Sequence, residues 1–466
     1  MAASTPRARF RRQIRNFALI WAGITFIMGA TTFIAIYAAY GSLIGTSTTN
    51  DSLRNVAIPT GTSPAAAAAL PTSTPQPTAT ASPQTVAQAA TQAETSVPQP
   101  TATLLPVDVK RFQLGVQVQV SIDNMGQWAD VAANQLSVRW VKEQVRWQDI
   151  EKSKGNFDWF ETDTYLTATA EKGLKVLASV VTAPDWAREP GADLTQHGPP
   201  ANPQDYADFV VALLRRYPGK IHAIEVWNEQ NLDREWTSTS GLSAANYINL
   251  LRTTYQAVKA VDPGVIVVSG ALSPTGLNDG VHAYDDFVFL DAMIDAGLLN
   301  YTDCVGAHHN GINVSPEYNY DAIPNDTTAI FRGPFDNPHH SWSFRSTLST
   351  YASKIALKGG DQKLCVTEFG WPSAEGLSGV PEGFGFAEDN SLDEQRDYTV
   401  KALDFMKDSD FVWLAFLWNL NYGPQAGWAA DNDNVPYSII GPNFVFRPVF
   451  DAVRDWNRAY EAAQTS

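Results

Sequence analysis

Short apolar runs alternate with longer amphipathic segments along the chain after Phe112. Runs such as KVLASVV and LCVTEF are apolar almost throughout and rich in β-branched residues, which is typical of strands covered on both faces. The segments between them carry apolar residues every three or four positions, which is typical of helices with one buried face. Eight strands are predicted, at 113–120, 136–142, 175–181, 221–227, 265–271, 303–308, 364–369 and 412–418.

The segment NPQDYADFVVALLRRYPG shows the helical pattern clearly. Asn202 is a capping residue type, and Pro203 fits the first helical position because its missing N–H needs no partner there. Tyr206, Phe209 and Leu213 then fall on one face of the helix.

This alternation of strands and helices predicts a parallel sheet with helical crossovers. Eight such units within residues 112–463 predict a (β/α)8 TIM barrel with enlarged loops. A doubly wound open sheet is the alternative. It would carry a glycine-rich nucleotide-binding turn after its first strand, and the sequence SIDNMGQWAD at that place has none.

The N-terminal region predicts a membrane anchor. Residues 17–40 contain no charged residue and exceed the ~20 residues that a helix needs to cross a bilayer. Several arginines lie within residues 1–16, so this tail is predicted to stay in the cytoplasm. The protein is therefore expected at the cell membrane, with a single transmembrane helix and an extracytoplasmic catalytic domain. A cleaved signal peptide is the alternative, but its apolar region is usually only ~7–15 residues.

Residues 41–111 are rich in Thr, Ser, Pro and Ala, as in PTSTPQPTATASPQ. A segment of this composition cannot bury enough apolar surface to offset its chain entropy. It is predicted to be a disordered linker between the anchor and the barrel.

Composition narrows the function classes. The formal net charge of −16 disfavours nucleic acid as a partner, since phosphates require neutralisation by Lys and Arg. The two cysteines, Cys304 and Cys365, are too few for a disulfide framework or a zinc cage. They fit two buried free thiols, with a single bridge left open if the domain lies outside the cell. The seven histidines show no zinc-site spacing, so no metal and no cofactor are predicted.

Polar and aromatic residues stand at the predicted C-terminal ends of several strands. In a parallel barrel these ends surround the mouth of the active site. The candidate site residues are Lys142 after strand 2, Trp186 after strand 3, Asn228 and Glu229 after strand 4, His308 after strand 6, Glu368 after strand 7 and Trp418 after strand 8.

Two carboxyl groups facing each other across a tryptophan-lined cleft favour glycoside hydrolysis. One must protonate the leaving oxygen while the other attacks the anomeric carbon or activates water. Asn228 is suited to hydrogen-bond a sugar hydroxyl, and Trp418 is suited to stack on a sugar ring. Each residue alone also fits a structural role, so the prediction rests on the set.

Two motifs carry a family resemblance: Trp227-Asn228-Glu229 on strand 4 and Thr367-Glu368-Phe369-Gly370 on strand 7. Together with WQDIEKSKGNFDW at 147–159, they resemble the clan A retaining glycoside hydrolases, near families 39 and 5, over about residues 112–460. The resemblance implies that Glu229 is the acid/base and Glu368 the nucleophile of a double displacement. It implies a β-linked oligo- or polysaccharide as substrate.

The sequence departs from the clan pattern at two positions. Lys142 stands where the clan usually has an arginine, and Asn310 stands where it tends to have a tyrosine that hydrogen-bonds the nucleophile. Tyr318 or Tyr422 is a candidate replacement donor. These departures motivate one alternative, a carbohydrate-binding pseudoenzyme without turnover. A transglycosylase is a variant of the hydrolase, in which a sugar hydroxyl intercepts the covalent intermediate. The sugar and the oligomeric state stay open.

Overall fold

The computed structural model describes residues 111–329 and 338–465. The predicted cytoplasmic tail at 1–16, the predicted anchor at 17–40 and residues 41–110 of the predicted linker lie outside the described residues. Within the part that is described, no helix combines the length and the apolar character needed to span a bilayer.

Eight parallel strands form the central sheet, in the order β5-β4-β3-β2-β1-β8-β7-β6. Isolated parallel bridges join Val268 to Cys304 and Leu272 to Ala307, so β5 meets β6 and the sheet closes into a barrel. The predicted TIM barrel is thus confirmed. The strands are β1 (Gln113–Gln117), β2 (Trp140–Arg146), β3 (Lys175–Val181), β4 (Ala223–Val226), β5 (Ile266–Ser269), β6 (Val305–Asn310), β7 (Leu364–Gly370) and β8 (Val412–Leu417), followed by the hairpin strands β9 (Ile440–Gly441) and β10 (Val445–Phe446).

Helices follow the barrel strands and cover the outside of the sheet. The predicted cap is present, because the side chain of Asn202 accepts a hydrogen bond from the backbone N–H of Gln204. The helices are α1 (Met125–Asp130), α2 (Trp147–Ile150), α3 (Phe160–Glu171), α4 (Pro203–Arg216), α5 (Ala244–Val261), α6 (Asp286–Asp295), α7 (Phe344–Leu357), α8 (Phe386–Asp389), α9 (Leu392–Asp408), α10 (Tyr422–Gln425) and α11 (Pro448–Thr465).

Strand β2 differs from its prediction. It was expected at 136–142, but the ladder begins at Trp140 and continues to Arg146. The reason is local: residues 131–135 form a π-helical turn, and Ser137 adopts a left-handed backbone conformation, so the chain is still turning there. Lys142 is therefore the third residue of the strand and not its last, and its side chain lies inside the barrel.

Side chains on the barrel strands alternate between two cores. Trp140, Phe416 and their neighbours fill the barrel interior, while Val141 and others on the outer face pack under the helices. Gly115 faces the interior, where an added Cβ would lie 2.6 Å from the Phe416 ring. Only glycine fits this position, because the large rings on β2 and β8 already occupy the space.

Cys304 and Cys365 form a disulfide with a Cα–Cα distance of 5.8 Å. Both residues are fully buried in the barrel interior. The favoured interpretation of two free thiols is therefore wrong. The sequence could not resolve this point, because the two residues are 61 positions apart and become neighbours only when β6 pairs with β7.

Candidate active site

The end of β4 has an unusual backbone. Trp227 and Glu229 have φ values of 75° and 44°, a region that residues with a Cβ seldom occupy. The Trp227 N–H donates to the carbonyl of Val180, and the Glu229 N–H donates to the carbonyl of Ala271. These bonds to the neighbouring strands hold the segment in place and fix the position of the Glu229 side chain. Strained backbone held in this way is common at functional sites.

His308 at the end of β6 contacts both candidate carboxylates. Its Nδ1 lies 3.2 Å from Oε1 of Glu229, and its Nε2 lies 3.7 Å from Oε1 of Glu368. All three side chains are almost completely buried. Burial lowers the pKa of His308, but the charge of Glu368 and the hydrogen bond with Glu229 outweigh it, so the pKa is raised. The barrel thus brings these three predicted site residues together.

Lys142 links the nucleophile candidate to a second buried acid. Its Nζ lies 3.0 Å from Oε1 of Glu368 and 3.4 Å from Oε2 of Glu225. Burial lowers the pKa of Lys142, but the charges of Glu225 and Glu368 outweigh it and raise the pKa. Lys142 therefore stays protonated. The Thr367 hydroxyl also donates to Glu225, at 2.7 Å, so Glu225 is held by residues of both β2 and β7.

Asn310 supplies the donor that the sequence left unassigned. Its side-chain N–H donates to Oε2 of Glu368 at 3.2 Å. The two oxygens of Glu368 therefore contact different residues, Lys142 on one side and Asn310 on the other. Tyr422, one of the expected replacement donors, instead accepts a hydrogen bond from Gln117. The asparagine itself takes the place of the expected tyrosine as the donor to Glu368.

Arg234 is a residue of the site that sequence analysis missed. Its Nη2 lies 2.9 Å from Oε2 of Glu229, and its side chain is 61% exposed. Burial raises the pKa of Glu229, but the hydrogen bond from His308 and the charges of His308 and Arg234 outweigh it and lower the pKa to about 2. In the sequence, Arg234 is visible only as a single cation five positions after Glu229. Single cations are common in loops and do not indicate a function by themselves.

Glu235 lies beside Arg234 and Glu229, and its pKa is shifted in the opposite direction to that of Glu229. Its Oε1 is 4.0 Å from the guanidinium of Arg234. Burial and the nearby charge of Glu229 raise the pKa of Glu235 to about 7. Two neighbouring carboxyl groups thus differ in the ease with which they lose a proton. Such a difference is a common property of acid/base sites.

Trp418 follows β8 and forms one wall of the mouth. Its ring centroid is 4.9 Å from that of Tyr422, and it packs in a cluster with Phe386. Only 7% of Trp418 is exposed. Phe386 belongs to the segment after β7, so this segment packs against Trp418. The predicted stacking of Trp418 on a sugar stays a prediction.

Asn228 and Trp186 occupy different surroundings. Within the described residues, Oδ1 of the buried Asn228 has no hydrogen-bond partner. Trp186 lies after β3 with its indole N–H donating to the carbonyl of Glu151, and its ring meets the edge of Trp147. The predicted contact of Asn228 and Trp186 with a sugar stays a prediction.

A group of potential metal-ligating residues lies in the segments that follow β5 and β6. Asp285, His339 and His340 bring one donor atom each within 4.8 Å of one another. Nε2 of His340 and Oδ2 of Asp285 are only 2.6 Å apart, which is a hydrogen-bond distance. An ion at ~2.0–2.2 Å from each ligand would require these two atoms to separate. The expected absence of a metal stays a prediction.

No protein-family model and no curated protein matches this sequence. Solved structures with a similar fold include a family 39 glycoside hydrolase from the gut symbiont Bacteroides cellulosilyticus WH2. Its TM-score is 0.56 at 16% identity, over 76% of this chain and 65% of that chain. A glucosidase from Croceicoccus marinus has a TM-score of 0.51 at 15% identity, over 76% of this chain and 69% of that chain. This chain thus spans just under two thirds of the first structure's length, and it shares the fold of both enzymes.

Proposed function

We propose that the barrel domain is a glycoside hydrolase that cleaves β-linked oligo- or polysaccharides with retention of configuration. The observation that carries this proposal is the pair Glu229 and Glu368, which contact opposite nitrogens of His308 at the barrel mouth. Glycosidic bond cleavage needs two such carboxyl groups on either side of the bond. The fold shared with two glycosidases supports the same class of reaction.

In this proposal Glu368 is the nucleophile. Lys142 and Asn310 each hold one of its oxygens, so the carboxylate is fixed before the sugar binds. Its attack forms a covalent bond to the anomeric carbon while the bond to the leaving oxygen breaks. The buried Lys142 ammonium lies 3.0 Å from this carboxylate and pairs with it.

Glu229 is the acid/base, and it must carry a proton when the leaving oxygen departs. In the substrate-free protein, His308 and Arg234 favour its ionised form. Arg234 lies on the exposed side of the pair, so a sugar that enters the mouth displaces the guanidinium and removes water. Both changes raise the pKa of Glu229 and favour protonation. In the second step Glu229 accepts a proton from the attacking water.

A second candidate function is carbohydrate binding without turnover. The contact between Arg234 and Glu229 favours it, because an acid held in its ionised form cannot protonate a leaving group. Asn228 would still offer its unpartnered oxygen to a sugar hydroxyl, and Trp418 would still line the mouth. A transglycosylase is a variant of the first proposal, in which a sugar hydroxyl intercepts the covalent intermediate.

The test is hydrolysis of aryl β-glucoside, β-xyloside and β-mannoside by the wild type and by Glu368→Ala and Glu229→Ala. Glu171→Ala, an exposed glutamate on α3, is the matched control. We expect both site variants to lose activity by ~10⁴-fold or more and the control to keep it. Proton NMR of the first product formed should show the β configuration.

Added azide distinguishes the two roles. In Glu229→Ala, azide should restore turnover and give a β-glycosyl azide, because it attacks the covalent intermediate. In Glu368→Ala, it should give an α-glycosyl azide, because it replaces the nucleophile. A wild type that binds these sugars but hydrolyses none of them would favour the binding protein, and an α product from the wild type would exclude retention.

We also propose that the barrel is extracytoplasmic and tethered to the cell membrane through residues 17–40. The uncharged run in the sequence and the disulfide between Cys304 and Cys365 support this location, because such bonds persist mainly in oxidising compartments. Alkaline phosphatase, which folds only outside the cytoplasm, can be fused after Ser466 as a reporter. Its activity should be present in the full-length fusion and lost when residues 1–40 are deleted, and an inactive full-length fusion would contradict the proposal.

A further inference from the structure

A cavity of about 450 Å³ lies outside the barrel mouth, between the outer face of β2 and β3 and helix α3. It opens to solvent beside Gln119 and Gln425 and extends down to Leu213 and Ile221. Ligand sites in proteins commonly have volumes of ~300–1,000 Å³, so this cavity is large enough for a small organic molecule.

The sequence explains why the helix does not fill this space. Helix α3 carries Thr162 on its buried side, and β3 carries Ala178 on the face below it. Neither side chain is long enough to close the gap between the helix and the sheet. The floor of the cavity is apolar, because Leu166, Val176 and Leu213 line it.

Two buried polar groups of the cavity wall lack partners. Within the described residues, neither Oε2 of Glu143 nor the hydroxyl of Tyr165 has a hydrogen-bond partner. Glu143 is 8% exposed and Tyr165 is 3% exposed. Nearly all buried polar groups in folded proteins are hydrogen-bonded. Two unpartnered groups in one cavity therefore indicate that something else satisfies them.

The residues that line the cavity favour an uncharged ligand. Burial raises the pKa of Glu143 well above its usual value and so favours the protonated form, which can donate from Oε2. Its other oxygen accepts from the backbone N–H of Val120. At the rim, Arg146 is already paired with Asp149 at 2.9 Å. The cavity thus presents two hydroxyl donors, from Glu143 and Tyr165, above an apolar floor.

We propose that this cavity is a second binding site for a small, uncharged, amphipathic molecule. A carbonyl or hydroxyl oxygen of the ligand accepts hydrogen bonds from Glu143 and Tyr165, and its apolar part packs on the floor near Ala178 and Leu213. This inference is independent of the proposed hydrolase activity. The site also touches Tyr422, whose ring packs against Trp418 at the mouth.

Acetanilide is a suitable probe, since it carries one carbonyl oxygen and one phenyl ring. Calorimetry with the full-length protein should give saturable millimolar binding, and a soaked crystal should show the carbonyl between Glu143 and Tyr165. Tyr165→Phe should weaken binding about tenfold, because it removes one donor. Tyr255→Phe, at a partly buried tyrosine on α5, is the matched control and should bind as the wild type does.

Ala178→Leu tests the cavity itself. The larger side chain should fill the floor, abolish acetanilide binding and leave the thermal unfolding temperature unchanged or higher. Ala223→Leu is the contrast, because Ala223 is fully buried among large side chains inside the barrel and the added atoms have no space there. A loss of stability in Ala178→Leu as large as that in Ala223→Leu would show that the cavity is not present.

Three other results would overturn the proposal. The first is acetanilide binding that both Tyr165→Phe and Ala178→Leu leave unchanged. The second is tighter binding of benzylammonium, which would show that Glu143 is an anion that selects cations. The third is a soaked crystal in which only ordered water contacts Glu143 and Tyr165.

Discussion

Strand β2 carries two adjacent ionisable residues with opposite surroundings. Lys142 points into the barrel, where carboxylates of β4 and β7 lie within 3.4 Å of its Nζ. Glu143 points outward to α3, where one of its oxygens has no partner within the described residues. Both residues are buried in the same strand, one position apart.

The difference between Lys142 and Glu143 shows how closure of the barrel determines the surroundings of a side chain. Inside it, side chains from several strands converge on one axis, so a cation can be shared by two acids and the site is organised before a substrate arrives. Outside it, separate helices cover the sheet. A polar group there depends on what those helices carry, and α3 carries Thr162 at this place. Substitutions on the two faces of β2 should therefore change the free energy of unfolding by amounts that differ in sign and size.

The largest expected effect is on the inner face. Lys142→Met should lower the free energy of unfolding by about 3–5 kcal/mol, because it leaves Glu225 buried without its cation. Urea unfolding measures this change. Lys358→Met is the matched control: Lys358 pairs with Asp295 at 2.6 Å but is 47% exposed, so its loss should leave the stability nearly unchanged. If both substitutions lowered the free energy of unfolding equally, the contrast between the buried and the exposed ion pair would be contradicted.

The second expected effect is a loss of stability at low pH. The pKa of Glu229 is about 2 in the folded protein, below its usual value. Its ionised form therefore stabilises the fold above about pH 4.5, and this contribution is lost as the pH falls toward 2. The loss should amount to at most about 3 kcal/mol. The stability difference between the wild type and Glu229→Gln, measured by urea unfolding, should shrink over this range.

The third effect has the opposite sign and belongs to the outer face. The pKa of Glu143 is raised in the folded protein, so its protonated form contributes stability below about pH 4.5 that is lost as the pH rises through the folded pKa. Glu143→Gln mimics the protonated acid and lacks this loss. We expect a difference of less than about 1 kcal/mol at pH 5 that grows in favour of the variant by pH 8. A constant difference across this range would show that the fold does not raise the pKa of Glu143.

The smallest effect on stability is expected at Arg234. Arg234→Gln should change the free energy of unfolding by less than about 1 kcal/mol, because the arginine is largely exposed. If Glu229 is the catalytic acid, removal of this cation raises its pKa. The alkaline limb of the kcat/KM profile should then move up by about one pH unit. Arg396→Gln, on the outside of α9, should leave the profile unchanged.

Sequence analysis predicted where several candidate site residues lie along their strands. It expected Glu229, His308 and Glu368 near the ends of their strands, and the structure brings them into contact. These positions follow from local patterns, because an apolar run that ends in polar residues is visible in the sequence itself. The start of β2 was displaced, since Leu136 and Val138 belong to a turn that resembles a strand in composition.

The partners of these residues were not predictable in the same way. Asn310 was expected to leave Glu368 short of a donor, but it lies close enough to donate itself. Arg234 showed no pattern that distinguishes it from other loop cations. Asn310 meets Glu368 because β6 pairs with β7, and Arg234 meets Glu229 through the path of the loop after β4, so neither contact can be read from a short segment of the sequence.

The sequence by itself determined the alternation of strands and helices, their number in the barrel, and the residue types at the strand ends. Those features depend on periodicities among residues a few positions apart. Only the tertiary structure decided which charges meet. Lys142 and Glu368 are 226 positions apart and come within 3.0 Å because the barrel closes. Burial and the nearby charges then set the pKa of Glu143 and of Glu229, and both are properties of the packed chain and not of any short segment.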